Sequence, residues 1–390
     1  MKERFLSLDV FRGATVAGMI LVNNPGSWGH MFGPLKHAPW HGCTPTDLVF
    51  PFFLFAVGNA FAFVMPGLQA GGTGIFYKKV IRRTILIFLI GLLLTWWPFI
   101  QWRGTELVFK HWVNPQNPES GIRILGVLQR IALCYFFAAI IIYYFRIKGA
   151  AVISAIILLA YWWILYAFGS AGDPYSIEGY AGNALDKSVL GVAHMYKGEG
   201  RPFDPEGILS TIPAIVQVIL GYFAGYYIRL KGKSYEMITH LFVAGCALVF
   251  VGFMWDLVFP INKKIWTSSY VLYTTGLALL IIAFIIWAIE MKSWKGAGAR
   301  FFEVFGKNPL FIFALSALVP KTLSLIRWTD RFTEEGKPVF ISPLPWFYQK
   351  ILRPLFEDQR ISSLLYAICF LLVFWAICHW MDKKKIYIKV

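Results

Sequence analysis

Three long apolar runs constrain the fold of this chain more than any other feature. Residues 152–168, 270–289 and 364–377 contain no charged side chain. A helix needs about 20 mainly apolar residues to cross the hydrocarbon layer, and these runs approach that length. The chain has 390 residues and only 15% of them are charged, whereas about 25% is typical of soluble domains. We therefore expect one polytopic membrane domain over residues 1–390 and not several soluble domains.

The predicted fold is all-α, a bundle of about ten transmembrane helices. The predicted spans are 8–24, 47–65, 80–97, 122–145, 150–168, 207–228, 237–255, 266–289, 302–319 and 362–380. Residues 340–355 contain three prolines, so we expect a re-entrant or interfacial segment there. No small-residue cleavage site follows the N-terminus, so the first stretch is expected to be an uncleaved span.

Basic residues concentrate in the short loops on one side of this bundle and in the C-terminal tail. They are Lys78, Lys79, Arg82, Arg83, Arg146, Lys148, Arg229, Lys231, Lys233, Lys292, Lys295, Arg300, Lys383, Lys384, Lys385 and Lys389. Because positive short loops stay cytoplasmic, both termini are predicted to be cytoplasmic. The long loops 99–121, 169–206 and 320–361 are then outside, where a polar extracytoplasmic substrate would be handled.

The composition also excludes some functions. The formal net charge is +16, but the cations lie between apolar runs and form no basic face on a soluble module. We therefore expect no nucleic-acid partner. The five cysteines are scattered, without the paired spacing of a disulfide framework or a zinc site, so no metal is expected.

The loop after the first span holds the densest set of chemically useful side chains. His37 is the best candidate for acid–base or nucleophilic work, because an imidazole can take a proton or accept an acyl group. Asn23 could donate to an oxyanion, and Asp47 could orient an imidazole. The structural alternatives are a polar helix mouth for His37 and an N-cap or first-turn acid for Asp47. His30 and His41 share the loop, and nothing in the sequence separates them from His37.

Arg12 and Arg130 lie within predicted spans, where a charged side chain is costly. Arg12 follows Asp9 by three residues, so both occupy one face of the first helix. Arg130 must face protein, water or an anion, and its structural alternative is an ion pair with Asp47 or Asp256.

Two further charged sets lie near the cytoplasmic ends of spans. The loop cluster Lys78, Lys79, Arg82 and Arg83 could bind phosphates, or it only sets topology and binds anionic lipid. Glu303 and Lys307, four residues apart, are predicted to be a structural ion pair.

The combination of these motifs resembles the heparan-α-glucosaminide N-acetyltransferase family and its bacterial relatives. The matching stretches are 7–13, 22–23, 36–40, 47–55, 126–130, 203–207, 260–266 and 269–270. They follow one another in order and cover nearly the whole membrane portion. The resemblance implies transfer of an acetyl group from cytosolic acetyl-CoA to the amine of a terminal glucosamine across the membrane.

The resemblance also implies roles for individual residues. The family's essential histidine falls on His37 and its nearby asparagine on Asn23, so His37 would be the general base or a transient acetyl carrier. Asn23 would stabilise the oxyanion. The cofactor route would be lined or braced by Arg130 with Arg12 and Asp9, and the phosphates of acetyl-CoA would be held by Lys78, Arg82 and Arg83.

We expect a bacterial inner-membrane form without the lumenal N-terminal domain and extra first helix of the animal enzymes, so the acceptor need not be heparan. A second imidazole, His41, follows Trp40 where the family often has another residue. The expected partners are acetyl-CoA, an amino-sugar or glycan acceptor and the lipid bilayer, and a homodimer is left open.

Two other functions are consistent with the sequence. The first is an amino-sugar transporter or permease, which needs alternating access but no imidazole. The second is an O-acetyltransferase of envelope polysaccharide, which differs only in its acceptor.

Overall fold

The computed structural model describes residues 5–388, which form a mostly helical bundle. The helices are α1 (Leu6–Asn23), α2 (Val49–Ala70), α3 (Gly72–Trp96), α4 (Val127–Phe168), α5 (Gly182–Leu190), α6 (Ile208–Lys231), α7 (Tyr235–Asp256), α8 (Ser268–Ile286), α9 (Ala297–Lys307), α10 (Pro309–Leu323), α11 (Pro343–Trp346) and α12 (Gln359–Lys383). Lys389 and the two chain ends lie outside the described residues, and the cytoplasmic location of the termini stays a prediction.

Within the described residues, seven helices are long and apolar enough to cross a membrane, or eight if α9 and α10 together form one bent span. The chain is therefore a multi-pass helical membrane protein. This count does not establish the predicted number of ten, which stays a prediction. The count of seven or eight treats α4 as one span and does not include α3, the helix that carries the Lys78–Arg83 basic cluster.

α4 folds back on itself at Arg146, whose backbone is not helical (φ 53°, ψ −161°). Before this break, the guanidinium carbon of Arg130 lies 5.0 Å from the ring centre of Trp266. After it, the carbonyl of Leu158 accepts a hydrogen bond from the hydroxyl of Ser268 (2.8 Å). Arg130 and Leu158 would be about 42 Å apart in a straight helix, yet they contact neighbouring positions. The predicted spans 122–145 and 150–168 are thus two helices.

The predicted ninth span, 302–319, is not a straight helix. α9 and α10 meet at Asn308 with a bend of 82°. Pro309 lacks the N–H that would continue the hydrogen-bond ladder, which explains a new helix beginning there. The predicted ion pair of Glu303 and Lys307 is confirmed at 2.9 Å.

α1 packs very closely against α9. A methyl group added to Gly13 would lie 1.8 Å from the carbonyl oxygen of Phe302, and one added to Gly306 would lie 2.0 Å from that of Asp9. Glycine lets the two backbones approach in this way, as is common between membrane helices. α1 is therefore firmly held, with Asn23 at one end and Arg12 near the other.

The all-α prediction missed three small β-hairpins in two of the long loops. The strands are β1 (Ile100–Arg103), β2 (Glu106–Phe109), β3 (Val113–Asn114), β4 (Asn117–Gly121), β5 (Trp328–Phe332) and β6 (Pro338–Ile341), and they pair as β1–β2, β3–β4 and β5–β6. Their strands are short and mostly exposed, so the sequence contains no long alternating pattern to indicate them. After β6, residues 343–355 form short irregular helical turns.

Candidate active site

The carboxylate of Asp47 both caps a helical turn and contacts the imidazole of His37. It lies in a short 3-10 turn, Pro45–Leu48, that leads into α2. Its Oδ2 accepts hydrogen bonds from the backbone N–H groups of Ala38 (2.9 Å) and Thr44 (3.1 Å). Its Oδ1 contacts Nδ1 of His37 at 2.6 Å. The Asp47 side chain is 1% exposed and that of His37 38% exposed. One oxygen therefore caps the turn while the other orients a partly accessible imidazole.

Lys263 joins this pair from the loop between α7 and α8. Its Nζ lies 3.3 Å from Oδ1 of Asp47 and 3.0 Å from Nδ1 of His37. Nδ1 cannot donate to the carboxylate and also accept from the ammonium, and a 2.6 Å approach to a carboxylate requires a proton between the atoms. We assign that proton to Nδ1 and the lysine hydrogen bond to Asp47. A neutral imidazole in this tautomer has its lone pair on Nε2.

The loop that carries Lys263 is built rigidly. Oδ1 of the buried Asn262 accepts hydrogen bonds from two following backbone N–H groups (2.7 and 3.1 Å). The N–H of Gly42 donates to the carbonyl of Ile261 (2.7 Å), which ties this loop to the His37 loop. Trp266 has a φ of +51°, a strained conformation for a bulky residue, of a kind concentrated at functional sites. Burial lowers the pKa of the Lys263 ammonium, although the charge of Asp47 opposes this effect.

His37 and Asp47 line a cavity of about 340 Å³, within the range of small-molecule sites. We call it the His37 cavity. Asn23, the last residue of α1, also lines it. The adjacent Asn24 instead donates its amide to the carbonyl of Ile20 (2.8 Å), so only Asn23 faces the cavity. The structure thus brings the three predicted catalytic residues to one cavity.

Ion pairs form another wall of the His37 cavity. Arg123 donates to Asp204 through Nε (3.0 Å) and also to Glu206, and Lys264 pairs with Glu199 (2.6 Å). Burial opposes ionisation of Glu206, but the nearby cations Arg123, Arg130 and Lys263 together outweigh burial and hold its pKa below the usual range. Both glutamates line the cavity as carboxylates that can accept hydrogen bonds.

Sequence reasoning assigned no role to Lys263, Arg123, Glu199 or Glu206. Lys263 and Glu206 lie in the stretches 260–266 and 203–207, which were singled out for the family resemblance. That resemblance was the signal that could have identified them.

The structure separates the three histidines of the loop between α1 and α2. His41 accepts from the side-chain amide of Asn262 (3.3 Å) and packs edge-on against Trp40, and it does not line the His37 cavity. Burial lowers the pKa of His41. His30 lines a different cavity of about 540 Å³. Among the three, His37 alone is placed beside Asp47.

Arg130 is fully buried behind the His37 cavity. Its Nη2 donates to the carbonyl of Pro205 (2.6 Å) and to the hydroxyl of Ser210, and its guanidinium lies against the ring of Trp266. The ion pair with Asp47 or Asp256 considered from the sequence is not formed. Arg130 instead braces two loops, one carrying Glu206 and one carrying Lys263.

Arg12 lies about 16 Å from Asn23 along the axis of α1. Its Nη2 pairs with Oδ1 of Asp9 (2.5 Å) and its Nε donates to the carbonyl of Gly306 (2.9 Å). Both charged side chains line a second cavity of about 310 Å³, the Arg12 cavity. Asn59 lines it too, and its buried amide nitrogen has no hydrogen-bond partner within residues 5–388.

The remaining predicted cofactor contacts do not converge on Arg12. Lys78 and Arg82 are exposed on α3, and the guanidinium carbon of Arg83 lies 4.8 Å from the ring centre of Tyr135. None of the three lines the Arg12 cavity. Their role in binding phosphates stays a prediction.

In the part of the chain that the structure describes, no group of three or more His, Cys, Asp or Glu side chains is placed to hold a metal ion.

Comparison with known proteins gives a consistent result. No family model matches the chain. The heparan-alpha-glucosaminide N-acetyltransferase of Homo sapiens is 26% identical to it over 360 residues, which cover 76% of this chain and 50% of the human protein. That of Mus musculus is 27% identical over 354 residues, which cover 75% of this chain and 51% of the mouse protein. The chain spans about half the length of these curated relatives. The resemblance carried by its motifs is confirmed: over about three quarters of its length the chain is similar to these two heparan-alpha-glucosaminide N-acetyltransferases.

Proposed function

We propose that this protein is a transmembrane acetyltransferase. It takes an acetyl group from cytosolic acetyl-CoA and delivers it to the amine of a glucosamine-type sugar on the extracytoplasmic side. The observation that carries the proposal is the pair of His37 and Asp47, which lines a cavity and leaves Nε2 of the imidazole without a hydrogen-bond partner within residues 5–388. The two relatives, both named as N-acetyltransferases, support the same chemistry.

His37 would act as the general base. The amine of the acceptor must lose a proton as it attacks the thioester carbonyl, and Nε2 of His37 is the group that takes it. Asp47 then stabilises the imidazolium through its contact with Nδ1, as the carboxylate of a catalytic triad does. The new C–N bond replaces the C–S bond, and the departing thiolate recovers the proton from the imidazolium.

A covalent route uses the same atoms in two steps. Nε2 of His37 attacks the thioester carbonyl, the C–S bond breaks and CoA leaves as a thiolate. The amine then attacks the resulting acetyl-imidazolium, which restores the neutral imidazole, and the proton lost by the amine neutralises the thiolate. Both routes require the Nδ1–H tautomer that Asp47 imposes.

Several other cavity residues have defined tasks in this scheme. Asn23 and Lys263 are hydrogen-bond donors that can stabilise the oxyanion formed at the carbonyl. Glu199 and Glu206 can accept hydrogen bonds from the ammonium or hydroxyl groups of a sugar. Because most of these groups are already held by neighbours, little reorganisation is needed as charge develops.

The donor would enter from the other end of α1. In this proposal Arg12 with Asp9 lines the entrance, and Lys78, Arg82 and Arg83 contact the phosphates at the cytoplasmic surface. Arg130 supports the route as a brace. The short basic loops support this orientation, and we propose the inner membrane of a bacterium as the location.

The His37–Asp47 pair favours a transferase over an amino-sugar transporter. Alternating access requires a binding site that opens to each side in turn, and it requires no imidazole held by a buried carboxylate. A proton-accepting imidazole is what acyl transfer to an amine requires.

The test uses purified protein in detergent with radiolabelled acetyl-CoA, with and without glucosamine. His37→Ala should lower the rate of sugar acetylation by about 10³-fold, the scale of general-base catalysis. His41→Ala is the matched control and should stay within about threefold of wild type. Label bound to the protein before sugar is added would indicate the covalent route.

Two outcomes would contradict the proposal. The first is full activity in His37→Ala. The second is wild-type protein that neither binds acetyl-CoA nor acetylates any of a panel of amino sugars, which would favour the transporter.

A further inference from the structure

We propose that a cavity beside the C-terminal end of α1 binds the phosphate of an anionic phospholipid headgroup. This binding site is separate from the acetyl transfer proposed above. The cavity has a volume of about 540 Å³, within the range of small-molecule sites, and we call it the His30 cavity. It shares no lining residue with the His37 cavity. Its walls come from residues 25–30, from β5, from the helical turns 343–355 and from the first two turns of α12.

The His30 cavity has an excess of positive charge. Arg331 and Arg353 line it, and neither forms an ion pair within residues 5–388. No acidic residue of the described chain lines it. Asp330, next to Arg331 in the chain, pairs instead with Lys350 (2.7 Å). A bound anion would therefore neutralise charge that the protein leaves unpaired, and charge-assisted hydrogen bonds to a phosphate are strong.

A buried tyrosine in the wall of this cavity has an unused hydroxyl. Tyr348 is 7% exposed, and its hydroxyl has no hydrogen-bond partner within residues 5–388. Its ring is held in place, because it packs edge-on against Tyr366 and a methyl group added to Gly26 would lie 2.5 Å from it. A buried hydroxyl without a partner is costly, whereas a phosphate oxygen in the cavity would accept its hydrogen bond. Gln349 and Gln359 also line the cavity, and their amides are further donors.

The His30 cavity lies where two membrane spans end. α1 ends at Asn23, just before residues 25–30, and α12 begins at Gln359; both helices are long and apolar enough to cross a membrane. The headgroups of a bilayer lie at the ends of such spans. Trp28 lines the cavity and is 64% exposed, and Trp346, in the turns after β6, is exposed as well. Tryptophan is enriched at the membrane surface, so this position favours a lipid as the source of the phosphate.

The charges of the cavity also select among lipids. A phosphatidylglycerol headgroup presents a phosphate and hydroxyl groups, whereas phosphatidylethanolamine adds an ammonium. That ammonium would find no carboxylate among the lining residues of the described chain. His30 is the third basic side chain there, and the acid within its electrostatic range, Asp358, is already paired with Arg360 (2.8 Å). The cavity therefore suits a lipid with a net negative charge.

The experiment measures the binding of short-chain lipids to the full chain, purified in detergent, by microscale thermophoresis. The Kd of wild type for phosphatidylglycerol should be about tenfold lower than that for phosphatidylethanolamine. Arg331→Gln/Arg353→Gln should bring the two Kd values within about twofold of each other. The matched control is Arg103→Gln/Arg300→Gln, which removes two exposed arginines that form no ion pair within the described residues and do not line the His30 cavity. This control should keep the preference.

Tyr348→Phe tests the cavity without removing a charge. The substitution deletes a hydroxyl that has no partner in the protein, so the Tm without lipid should not fall. The Kd for phosphatidylglycerol should rise about threefold, because one hydrogen bond to the phosphate is lost. A lower affinity with an unchanged Tm separates this role from a structural one.

Glycerophosphoglycerol, the same headgroup without acyl chains, distinguishes a lipid from a soluble phosphate ester. It should bind at least about tenfold more weakly than phosphatidylglycerol, because buried acyl groups add to the affinity. Equal affinity for both would overturn the lipid assignment. The inference is also overturned if wild type binds the two lipids equally, or if the control variant loses the preference as fully as Arg331→Gln/Arg353→Gln. None of these results depends on acetyl transfer, so they are independent of the test of His37→Ala.

Discussion

The two ends of α1 differ in how their polar side chains are held. At the C-terminal end, Asn23 faces a cavity in which His37 is fixed by Asp47 and the surrounding cations have carboxylate partners. At the other end, Arg12 is paired with Asp9 on its own helix, in a cavity with mainly apolar walls.

We interpret this difference between the two ends of α1 as two tasks, the reaction near Asn23 and the entry of a ligand near Arg12. Groups fixed by several neighbours suit a reaction whose transition state needs preorganised charges. An arginine near the start of a helix, in a mostly apolar opening, suits the entry of a ligand with both polar and apolar parts. The following predictions can break or sharpen this contrast.

The largest effect after His37→Ala is expected for Asp47→Asn. An asparagine amide would donate to Nδ1 of His37 and move the ring proton to Nε2, so the base would be lost. We expect kcat to fall by about 100-fold with little change in the KM for either substrate. The control is Asp173→Asn, at an aspartate of the loop between α4 and α5 that accepts from the N–H of Tyr175. An unchanged kcat would show that Asp47 only caps the helical turn and has no role in the reaction.

A smaller effect is expected for Arg130→Met, because Arg130 positions two loops and does not line the His37 cavity. We expect kcat/KM to fall by about tenfold. Loss of the nearby positive charge should also raise the pKa of Glu206, so the acidic limb of the pH–rate profile should move to higher pH. A uniform loss of activity at every pH would indicate only a structural role.

Next in size is the effect of Arg12→Gln. If the Arg12 cavity admits the donor, the KM for acetyl-CoA should rise about fivefold, while kcat and the KM for the sugar stay near wild type. Arg82→Gln, on the exposed face of α3, should raise the same KM by less than twofold, because an exposed charge contributes little. The reverse order would show that α3 is the donor site and the Arg12 cavity is not.

The smallest change is expected in stability, at the buried Asp186. Burial raises the pKa of its carboxyl from 3.8 to about 6 in the folded protein, while Oδ1 accepts from the N–H of Ile208 (2.8 Å). The stability gained from the protonated form is fully present below about pH 4 and is lost as pH rises through about 6. Asp186→Asn keeps a neutral acceptor. It should therefore be more stable than wild type at pH 8, by at most roughly 3 kcal/mol, and not at pH 4. Thermal unfolding in detergent at both pH values tests this, and an equal shift at both would contradict it.

The parts of the site that were predicted share one property. Residues 37 and 47 lie in one short loop, and residue 23 ends the helix before it, so their proximity follows from chain continuity. The membrane-spanning helices were predicted as readily, because a long apolar run without charges is typical of a helix that crosses a bilayer. The prediction for Arg12, Arg130 and the α3 cations assumed that charges far apart in sequence converge on one ligand, and the structure places them in three different surroundings.

The sequence by itself determined that this chain is a multi-pass helical membrane protein, and its motifs indicated its similarity to the heparan-alpha-glucosaminide N-acetyltransferases. It also indicated His37, Asn23 and Asp47, because reactive side-chain types cluster between the first two spans and the resemblance favoured His37 over His30 and His41. Only the tertiary structure decided which histidine faces the carboxylate, which ring nitrogen is left free, and that Lys263 and Glu206 share the cavity. The presence of Lys263 and Glu206 beside His37 depends on contacts between loops more than 150 residues apart in sequence, such as the bond from Gly42 to Ile261. A local pattern of residues contains no information about such contacts, because they form only when the helices pack.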